Sequence, residues 1–151
     1  MSDCIFCDII VGESPSSMVY EDDLAVAFMD IQPINTGHVL VIPRRHFTYL
    51  SDMDEETGAQ LFRVGMRVQE AIRRSDIKCE GINLFLADGE AAGQEVFHVH
   101  LHVFPRFAGD TFKLEGDWSV FPPRQELNAV AERIRGTMPP VGSLPYPTSR
   151  R

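Results

Sequence analysis

The sequence predicts an α+β fold, with an antiparallel sheet of about five strands, one long helix and a shorter C-terminal helix. Strand patterns outnumber helical ones, and several strands follow one another directly along the chain. One long apolar repeat has helical spacing and lies between the third and fourth strands. The fifth strand carries the most informative pattern, His98-Val-His-Leu-His, because a strand sends alternate side chains to the same face. Three imidazoles are therefore expected to share one side of the sheet.

The five strands are predicted from apolar patterns bounded by turn residues. Residues 18–29 indicate a hairpin of two strands around a polar corner at 21–23. Residues 37–43 are almost entirely apolar, which predicts a third strand buried on both faces. Residues 81–87 and 96–105 predict the fourth and fifth strands, with a turn at 88–93 between them.

Two helices are predicted. Ser51, followed three residues later by Asp54, resembles a helix start. The long helix then has apolar residues at helical spacing, namely Leu61, Val64, Val68, Ala71 and Ile72. Its charged face is interpreted as solvated surface and consists of Glu55, Glu56, Arg63, Arg67, Glu70 and Arg74. The second helix, at residues 124–135, has Leu127, Val130, Ala131 and Ile134 on one side. The proline-rich residues 137–151 predict an extended or disordered tail.

Length and charge restrict the classes of function. A chain of 151 residues is expected to form one compact domain. The net charge of −8 argues against a broad nucleic-acid surface, so any phosphate has to be held locally. We find no apolar run of the roughly 18 residues that a membrane helix needs, and no signal-peptide pattern at the N-terminus. We therefore expect a cytoplasmic protein that binds neither nucleic acid nor membranes.

Cys4 and Cys7 form a C-x-x-C pair, which in a reducing compartment is more often a metal or redox motif than a disulfide. A tetrahedral zinc site needs two further Cys or His ligands. Two alternatives remain open at this point: a pair of reduced cysteines without metal, or a catalytic zinc held by His98 and His100 on the fifth strand.

Four sequence blocks resemble the histidine triad (HIT) superfamily, in particular its bacterial Hint-like or diadenosine polyphosphate hydrolase-like members. The blocks are Cys4-Ile-Phe-Cys-Asp-Ile-Ile, His38-Val-Leu-Val-Ile-Pro, Ala92-Gly-Gln and His98-Val-His-Leu-His-Val-Phe-Pro-Arg. Their order and spacing cover residues 3–106. The resemblance implies a HIT-like fold, with a HIT domain at 1–110, a C-terminal extension with a short helix at 111–136 and the tail at 137–151.

The resemblance also implies an activity. Family members are nucleotide hydrolases or transferases that cleave a nucleoside phosphoramidate or dinucleoside polyphosphate at the α-phosphate, through a covalent nucleotidyl-histidine intermediate. By position, His100 is the expected nucleophile, His102 faces the phosphate or leaving group, and His38 sets the tautomer of His102. Two alternatives are a nucleotide-binding scaffold with little activity and a phosphorylase that uses inorganic phosphate instead of water.

The same resemblance implies a binding site for a purine nucleotide such as AMP or a dinucleoside polyphosphate. Phe28 and Ile31 would sandwich the base and Asp30 would accept hydrogen bonds from the ribose. The other implied nucleotide-binding residues are Ile5, Phe6, Asn83, Gly93, Gln94, Glu95 and Val96. Gln94 and the amides of residues 93–96 would hold the phosphate. The alternatives are that Asp30 is an ordinary strand-end carboxylate, that the aromatic residues are plain core, and that Gln94 is an exposed turn amide.

Two positions depart from the family pattern. Ala87 and Glu95 stand where relatives usually carry a polar amide and a hydroxyl. For the metal, the resemblance implies that His46 and His98 join Cys4 and Cys7 in a structural zinc site. It also implies a homodimer, with the long helix and an edge strand in the interface.

Overall fold

A computed structural model describes residues 3–145 and contains one five-stranded sheet in which every pair of neighbours is antiparallel, as predicted. The strands are β1 (Met18–Glu21), β2 (Ala25–Met29), β3 (Val39–Pro43), β4 (Gly81–Phe85) and β5 (Leu101–Arg106). Their order across the sheet is β1-β2-β3-β5-β4. The sheet therefore places β3 beside β5, next to the histidine pattern.

The helices are α1 (Ile5–Ile10), α2 (Glu55–Arg74) and α3 (Arg124–Arg135). The bounds of α3 match the prediction, whereas α1 was not predicted because six residues are too few for a periodic pattern. Helix α2 begins after Asp54, whose carboxylate accepts the Thr57 N–H at 2.8 Å. Ser51 lies in a separate 3₁₀ turn, and Ala71 is exposed, so two details of the predicted helix were wrong.

The sheet has two apolar faces because its central strands alternate between two cores. On one face Val41, Leu101 and Val103 pack with Val64 and other residues of α2. Gly65 permits close contact there, since a Cβ at that position would lie 3.0 Å from Leu101 Cδ2. The opposite core contains Phe6 of α1 with Val26, Phe28, Leu40 and Ile42. All five residues of β3 are buried, which confirms the predicted burial on both faces.

The histidine pattern begins before the regular strand. β5 starts at Leu101, so His98 and His100 lie in the extended segment that leads into it, and the predicted start at residue 96 was too early. The predicted alternation is nevertheless present, because Val99 and Leu101 are buried in the α2 core. β4 likewise ends at Phe85 rather than at residue 87.

The C-terminal segment stands away from the sheet. Its beginning is attached through Phe112, whose ring lies 5.2 Å from that of Phe104. Near its end the Gly142 N–H donates to Glu55 at 2.8 Å. Every residue from 113 to 142, including all of α3, is exposed. The predicted tail at 137–151 falls partly outside the described residues, at 146–151. Across residues 3–145 no helix combines the length and apolarity needed to cross a bilayer.

The corner of the first hairpin depends on Asp22. Its carboxylate accepts hydrogen bonds from the Leu24 and Ala25 amides, the Tyr20 hydroxyl and the Gln60 amide of α2. Burial alone would raise the pKa of Asp22, but these four donors hold it at about 2. One carboxylate thus ties the turn to both β1 and the long helix.

We predict that Asp22→Ala lowers the free energy of unfolding by roughly 1–2 kcal/mol, because a charged acceptor of several hydrogen bonds is lost from a partly exposed site. Urea unfolding at pH 7 measures this. Asp23→Ala, at the exposed neighbouring position, is the control and should change stability by less than about 0.5 kcal/mol. Equal effects of both substitutions would show that the hydrogen bonds of Asp22 do not hold the corner.

Candidate active site

A cavity of about 470 Å³ opens on the sheet face opposite α2. One wall is α1, which contributes Ile5, Phe6 and Ile9. The floor is formed by Phe28 of β2 and Leu40 of β3. Asp30, Ile31, Glu95, Val96, His100 and His102 complete its functional lining. The cavity is therefore a largely apolar slot that also presents two histidines and two carboxylates.

His100 is held in one tautomer. Its Nδ1 lies 2.7 Å from the carbonyl oxygen of His98, which only accepts hydrogen bonds, so Nδ1 carries the proton. In the neutral ring Nε2 then keeps its lone pair. The ring is buried against Phe6, with ring centroids 5.4 Å apart. His100 thus offers a fixed, unprotonated nitrogen in a residue that lines the cavity.

His38 and His102 form a directed pair. The Ile34 N–H donates to His38 Nδ1 at 3.1 Å, so the proton of His38 is on Nε2. That Nε2 lies 2.9 Å from His102 Nδ1 and donates to it. His102 consequently carries its own proton on Nε2, as a hydrogen-bond donor beside His100, whose ring centroid is 4.8 Å away. The structure brings together His38, His100 and His102, the three histidines expected to form the catalytic group.

The pair is electrically neutral near pH 7. Burial, together with the neighbouring His100 and His38, lowers the pKa of His102 to about 4 against the opposing effect of Asp30. Burial also lowers the pKa of His38, again opposed by Asp30. Asp30 Oδ2 lies 3.6 Å from His38 Nε2 and 4.0 Å from His102 Nδ1. The Asp30 carboxylate therefore favours protonation of His38 and His102, but in the free protein its effect on their pKa values is smaller than that of burial.

The expected base-binding residues all line the cavity, but with unequal exposure. Phe28 and Phe6 are 3% and 7% exposed and meet edge to face, with ring centroids 5.5 Å apart. They belong to the apolar core and form the slot at the same time. Ile31 is 94% exposed and stands at the rim, as does the half-exposed Ile5. Asp30 Oδ1 accepts the Gln32 N–H at 2.8 Å, which fixes the direction of the carboxylate.

Two residues expected near the phosphate have other contacts. Gln94 is buried, and its amide nitrogen donates to the Thr48 and Val96 carbonyls while its oxygen accepts the Gly89 N–H. It therefore braces the turn and is not an exposed turn amide. Asn83 Oδ1 accepts a hydrogen bond from Arg106 at 2.7 Å.

Two of the main-chain N–H groups predicted to hold the phosphate already have hydrogen-bond partners. The N–H groups of Gly93 and Gln94 already donate to the Glu90 and Gly89 carbonyls. Neither these two residues nor Asn83 is among those lining the cavity. Glu95 and Val96 are the part of this turn that reaches it.

Leu40 and Ile9 line the cavity but were missed from the sequence. Leu40 could have been found, because it alternates with Ile42 on β3 and shares the face of its cross-strand partner His102. Ile9 is four residues after Ile5, but that spacing becomes meaningful only once α1 is known to be a helix.

Cys4, Cys7, His46 and His98 form a cluster in which the four ligand atoms lie within 4.8 Å of one another. His98 Nε2 donates to the Pro43 carbonyl at 2.9 Å, which leaves the Nδ1 lone pair facing the thiols. Nδ1 is 3.5 Å from Cys4 Sγ and 3.7 Å from Cys7 Sγ, and His46 Nδ1 is 3.3 Å from Cys7 Sγ. Nitrogen at about 2.1 Å and sulfur at about 2.3 Å from a tetrahedral zinc would lie about 3.6 Å apart. The cluster therefore fits a closed zinc site.

Cys7 holds its proton more tightly than an ordinary thiol does. Burial, the hydrogen bond with Cys4 and the electrostatic influence of Cys4 and Asp8 together raise the pKa of Cys7 to about 11. Two thiolates at this position need a cation to stabilise them. A zinc ion shared by His98 and His100 is disfavoured, because the His98 lone pair faces the thiols and His100 Nδ1 is bound to a carbonyl.

The chain is similar to known proteins of one family. The model of the HIT domain family matches residues 11–109. An uncharacterized HIT-like protein of Borreliella burgdorferi is 49% identical over 113 residues, which cover 74% of this chain and 81% of that protein.

Two solved structures bear on the site. A histidine triad nucleotide-binding protein from Candida albicans has a TM-score of 0.79 and 30% identity, covering 89% of this chain and 96% of that one. A Zn-bound histidine triad family protein from Mycobacterium smegmatis has a TM-score of 0.71 and 38% identity, covering 90% and 98%.

We predict that the ring of His102 titrates near pH 4 in the free protein, because burial and the adjacent rings oppose its charge. An unfolded chain binds this proton near pH 6.5. Stability contributed by the neutral ring is thus complete above pH 6.5 and is lost as the pH falls toward 4.

Nuclear magnetic resonance titration of the ring carbon-bound protons measures the midpoint, with His102→Gln identifying the signal. Long-range proton–nitrogen spectra should also show Nε2–H for His102 and Nδ1–H for His100. A midpoint for His102 at 6.5 or above would contradict the prediction.

Proposed function

Because the chain belongs to the HIT domain family, we propose that it is a nucleotide hydrolase or transferase that acts at the α-phosphate of a nucleoside phosphoramidate or dinucleoside polyphosphate. The observation that carries the proposal is the fixed tautomer of His100 in the lining of the cavity. Its Nδ1 proton is bound by a main-chain carbonyl, so its Nε2 lone pair is available as a nucleophile.

The reaction has two displacements. The His100 Nε2 lone pair forms a bond to the α-phosphorus while the bond between phosphorus and the leaving group breaks, and the leaving group departs with the electron pair and takes up a proton. Water then attacks the same phosphorus, the N–P bond returns its electrons to Nε2, and the nucleoside monophosphate is released. The enzyme is unchanged after both steps.

His102 and His38 support the transfer. The His102 Nε2–H is a neutral donor to a phosphate oxygen or the leaving group, and His38 keeps it in that tautomer. Asp30, which lines the slot, would accept hydrogen bonds from the ribose hydroxyls. Phe28 and Ile31 would contact the base from the floor and rim of the slot.

A nucleotide-binding scaffold with little activity remains the second candidate, because Ala87 is buried and supplies no polar contact. A phosphorylase would share the covalent half-reaction and differ only in the acceptor. Analysing the products of diadenosine polyphosphate cleavage with and without inorganic phosphate distinguishes water from phosphate as the acceptor. Absence of any turnover with retained AMP binding would favour the scaffold.

We predict that His100→Asn abolishes catalysis while preserving the fold. The Asn amide can still donate to the His98 carbonyl but has no nucleophilic nitrogen, so AMP release from adenosine 5′-phosphoramidate should fall by about 10³-fold or more. Wild-type enzyme quenched in base should carry an AMP adduct on the peptide containing residue 100.

The melting temperature and the Kd for AMP are the controls for this variant. Both should stay close to their wild-type values, because the Asn side chain keeps the hydrogen bond to the His98 carbonyl and the other lining residues are unchanged. Turnover equal to that of the wild type, or an adduct on a different residue, would exclude His100 as the nucleophile.

We also propose that Cys4, Cys7, His46 and His98 hold one structural zinc ion. Support comes from the sulfur–nitrogen spacing and from the His98 tautomer. The four ligands leave no position for a substrate, so the ion would have a structural role and not act on the phosphate. Zinc would neutralise the two thiolates and connect the N-terminal segment to the residues before β5.

We further propose that the protein is a homodimer in which α3 packs on a second copy. Leu127, Val130 and Ile134 form an apolar stripe on α3 that is exposed. An isolated helix of 12 residues is marginal in water without packing. The same chain exposes Phe62 and Met66 on the outer side of α2. A two-fold arrangement would cover both surfaces at once.

We predict that Val130→Asp converts a dimer to a monomer, because it puts a charge in the apolar stripe. Ala129→Asp places the same charge on the opposite side of α3 and is the matched control. Size-exclusion chromatography with light scattering should give twice the chain mass for the wild type and for Ala129→Asp. A wild-type monomer, or a dimer that survives Val130→Asp, would contradict this arrangement.

A further inference from the structure

Helix α1 belongs to the metal cluster and to the nucleotide cavity at once. Cys4 immediately precedes the helix and Cys7 is three residues later, so both thiols lie on one side of its first turn. Ile5, Phe6 and Ile9 line the cavity. A second, more open cleft of about 630 Å³ beside the cysteines shares Ile5, Glu95 and Val96 with the nucleotide cavity. The two sites thus adjoin across one short helix.

Phe6 connects the two sites directly. It lies between the cysteines in the sequence and is buried, and its ring contacts His98, His100 and Phe28 at centroid distances of 5.9, 5.4 and 5.5 Å. These are a cluster residue, the proposed nucleophile and the floor of the slot. A displacement of α1 would therefore change the contacts of all three.

His98 provides a second connection. Its ring faces the thiols through Nδ1, while its main-chain carbonyl accepts the Nδ1 proton of His100. The same residue thus contacts the metal ligands and orients the nucleophile.

A helix of six residues with no side-chain cap at Cys4 is too short to be stable alone. Its position depends on tertiary anchors, which are Phe6, Ile9 and Ile10 in the core and the two cysteines in the cluster. An ion held by the cluster would join these cysteines to His46, beyond β3, and to His98, before β5. Loss of that connection leaves α1 held by the packing of Phe6, Ile9 and Ile10 in the apolar core.

We infer that Phe6 and His98 are positioning residues that couple the cluster to the cavity, so that zinc and nucleotide bind cooperatively. This inference rests on the proposed nucleotide and zinc sites and adds a link between them. Zinc fixes the apolar wall and the His98 carbonyl before the nucleotide arrives, and so removes part of the cost of ordering the site. By thermodynamic reciprocity, AMP must tighten zinc binding by the same factor.

The test begins with metal content and AMP affinity of the full chain. Wild-type protein should bind one zinc per chain, and calorimetry should give a Kd for AMP that is about 10-fold or more weaker after zinc is removed by chelation. A competition titration against a chromophoric chelator, with and without saturating AMP, should show the same factor in the Kd for zinc.

Two cysteine variants provide a matched comparison. Cys7→Ser removes a ligand and should have the weak AMP affinity of the chelated protein, with no further change on adding chelator. Cys79→Ser alters the cysteine outside the cluster, whose thiol donates to the Gly81 carbonyl, and should retain wild-type zinc and AMP affinities.

Phe6→Leu distinguishes a local link from general unfolding of the metal-free chain. The leucine keeps the helix in the apolar core but removes the ring contacts and leaves only the His98 link, so the variant should still bind zinc while AMP shifts the zinc affinity by a clearly smaller factor than in the wild type. If coupling arose from unfolding, it would persist at the full wild-type factor in Phe6→Leu, and that result would overturn the inference.

The remaining outcomes are also decisive. Equal AMP affinity with and without zinc would overturn the coupling but leave both proposed sites standing. A wild-type chain that binds no zinc would overturn the metal site and the coupling together. Failure of the zinc-loaded protein to bind AMP would instead overturn the proposed nucleotide function.

Discussion

The hydrogen bond from His100 Nδ1 to the His98 carbonyl determines what every other group in the cavity can do. A neutral imidazole has one N–H, and the nitrogen that lacks it is the nucleophile. With the proton on Nδ1, the atom that we propose as the nucleophile is Nε2. In the proposed reaction, the role of each other polar group depends on its position relative to Nε2, since hydrogen-bond donors and a leaving group must be arranged around that atom.

Main-chain groups assign the protons of the other rings as well. The Pro43 carbonyl holds the proton of His98 on Nε2, and the Ile34 amide holds the lone pair of His38 on Nδ1. His102 is then assigned by its hydrogen bond from His38. Each tautomer is therefore a consequence of how β3 and the segment before β5 are placed. The antiparallel pairing of β3 with β5 is thus a chemical as well as a structural requirement.

Much of the fold was predictable because it depends on local periodicity. The alternation at 98–102 indicated the shared face, and the apolar run of β3 indicated burial on both sides. The α3 pattern matched a helix with the same bounds.

The errors concern features that periodicity does not encode. A six-residue helix has too few turns to show a pattern, so α1 was missed. The role of Gln94 depends on the distant Thr48 carbonyl and on the nearby turn, and spacing alone could not show that its amide was already engaged. The full exposure of α3 is likewise a property of the folded chain, since its sequence pattern is typical of a helix packed on a core.

The charge distribution explains how such a cavity could accept an anion. Across residues 3–145, no Lys or Arg lines the cavity, while Asp30 and Glu95 do. A phosphate has to be held by neutral donors such as the His102 Nε2–H, and long-range attraction contributes little in a chain of net charge −8.

The low pKa of His102 belongs to the free protein, where burial outweighs the pull of Asp30. A phosphate within a few ångströms would add a second negative charge on the same side and favour the protonated form. Substrate would thereby move the His38–His102 pair toward taking up a proton at the stage when a leaving group needs one. His102 is then neutral when the site is empty and can donate a proton to the leaving group when the site is filled. Asp30 reduces the free-energy cost of protonating the ring.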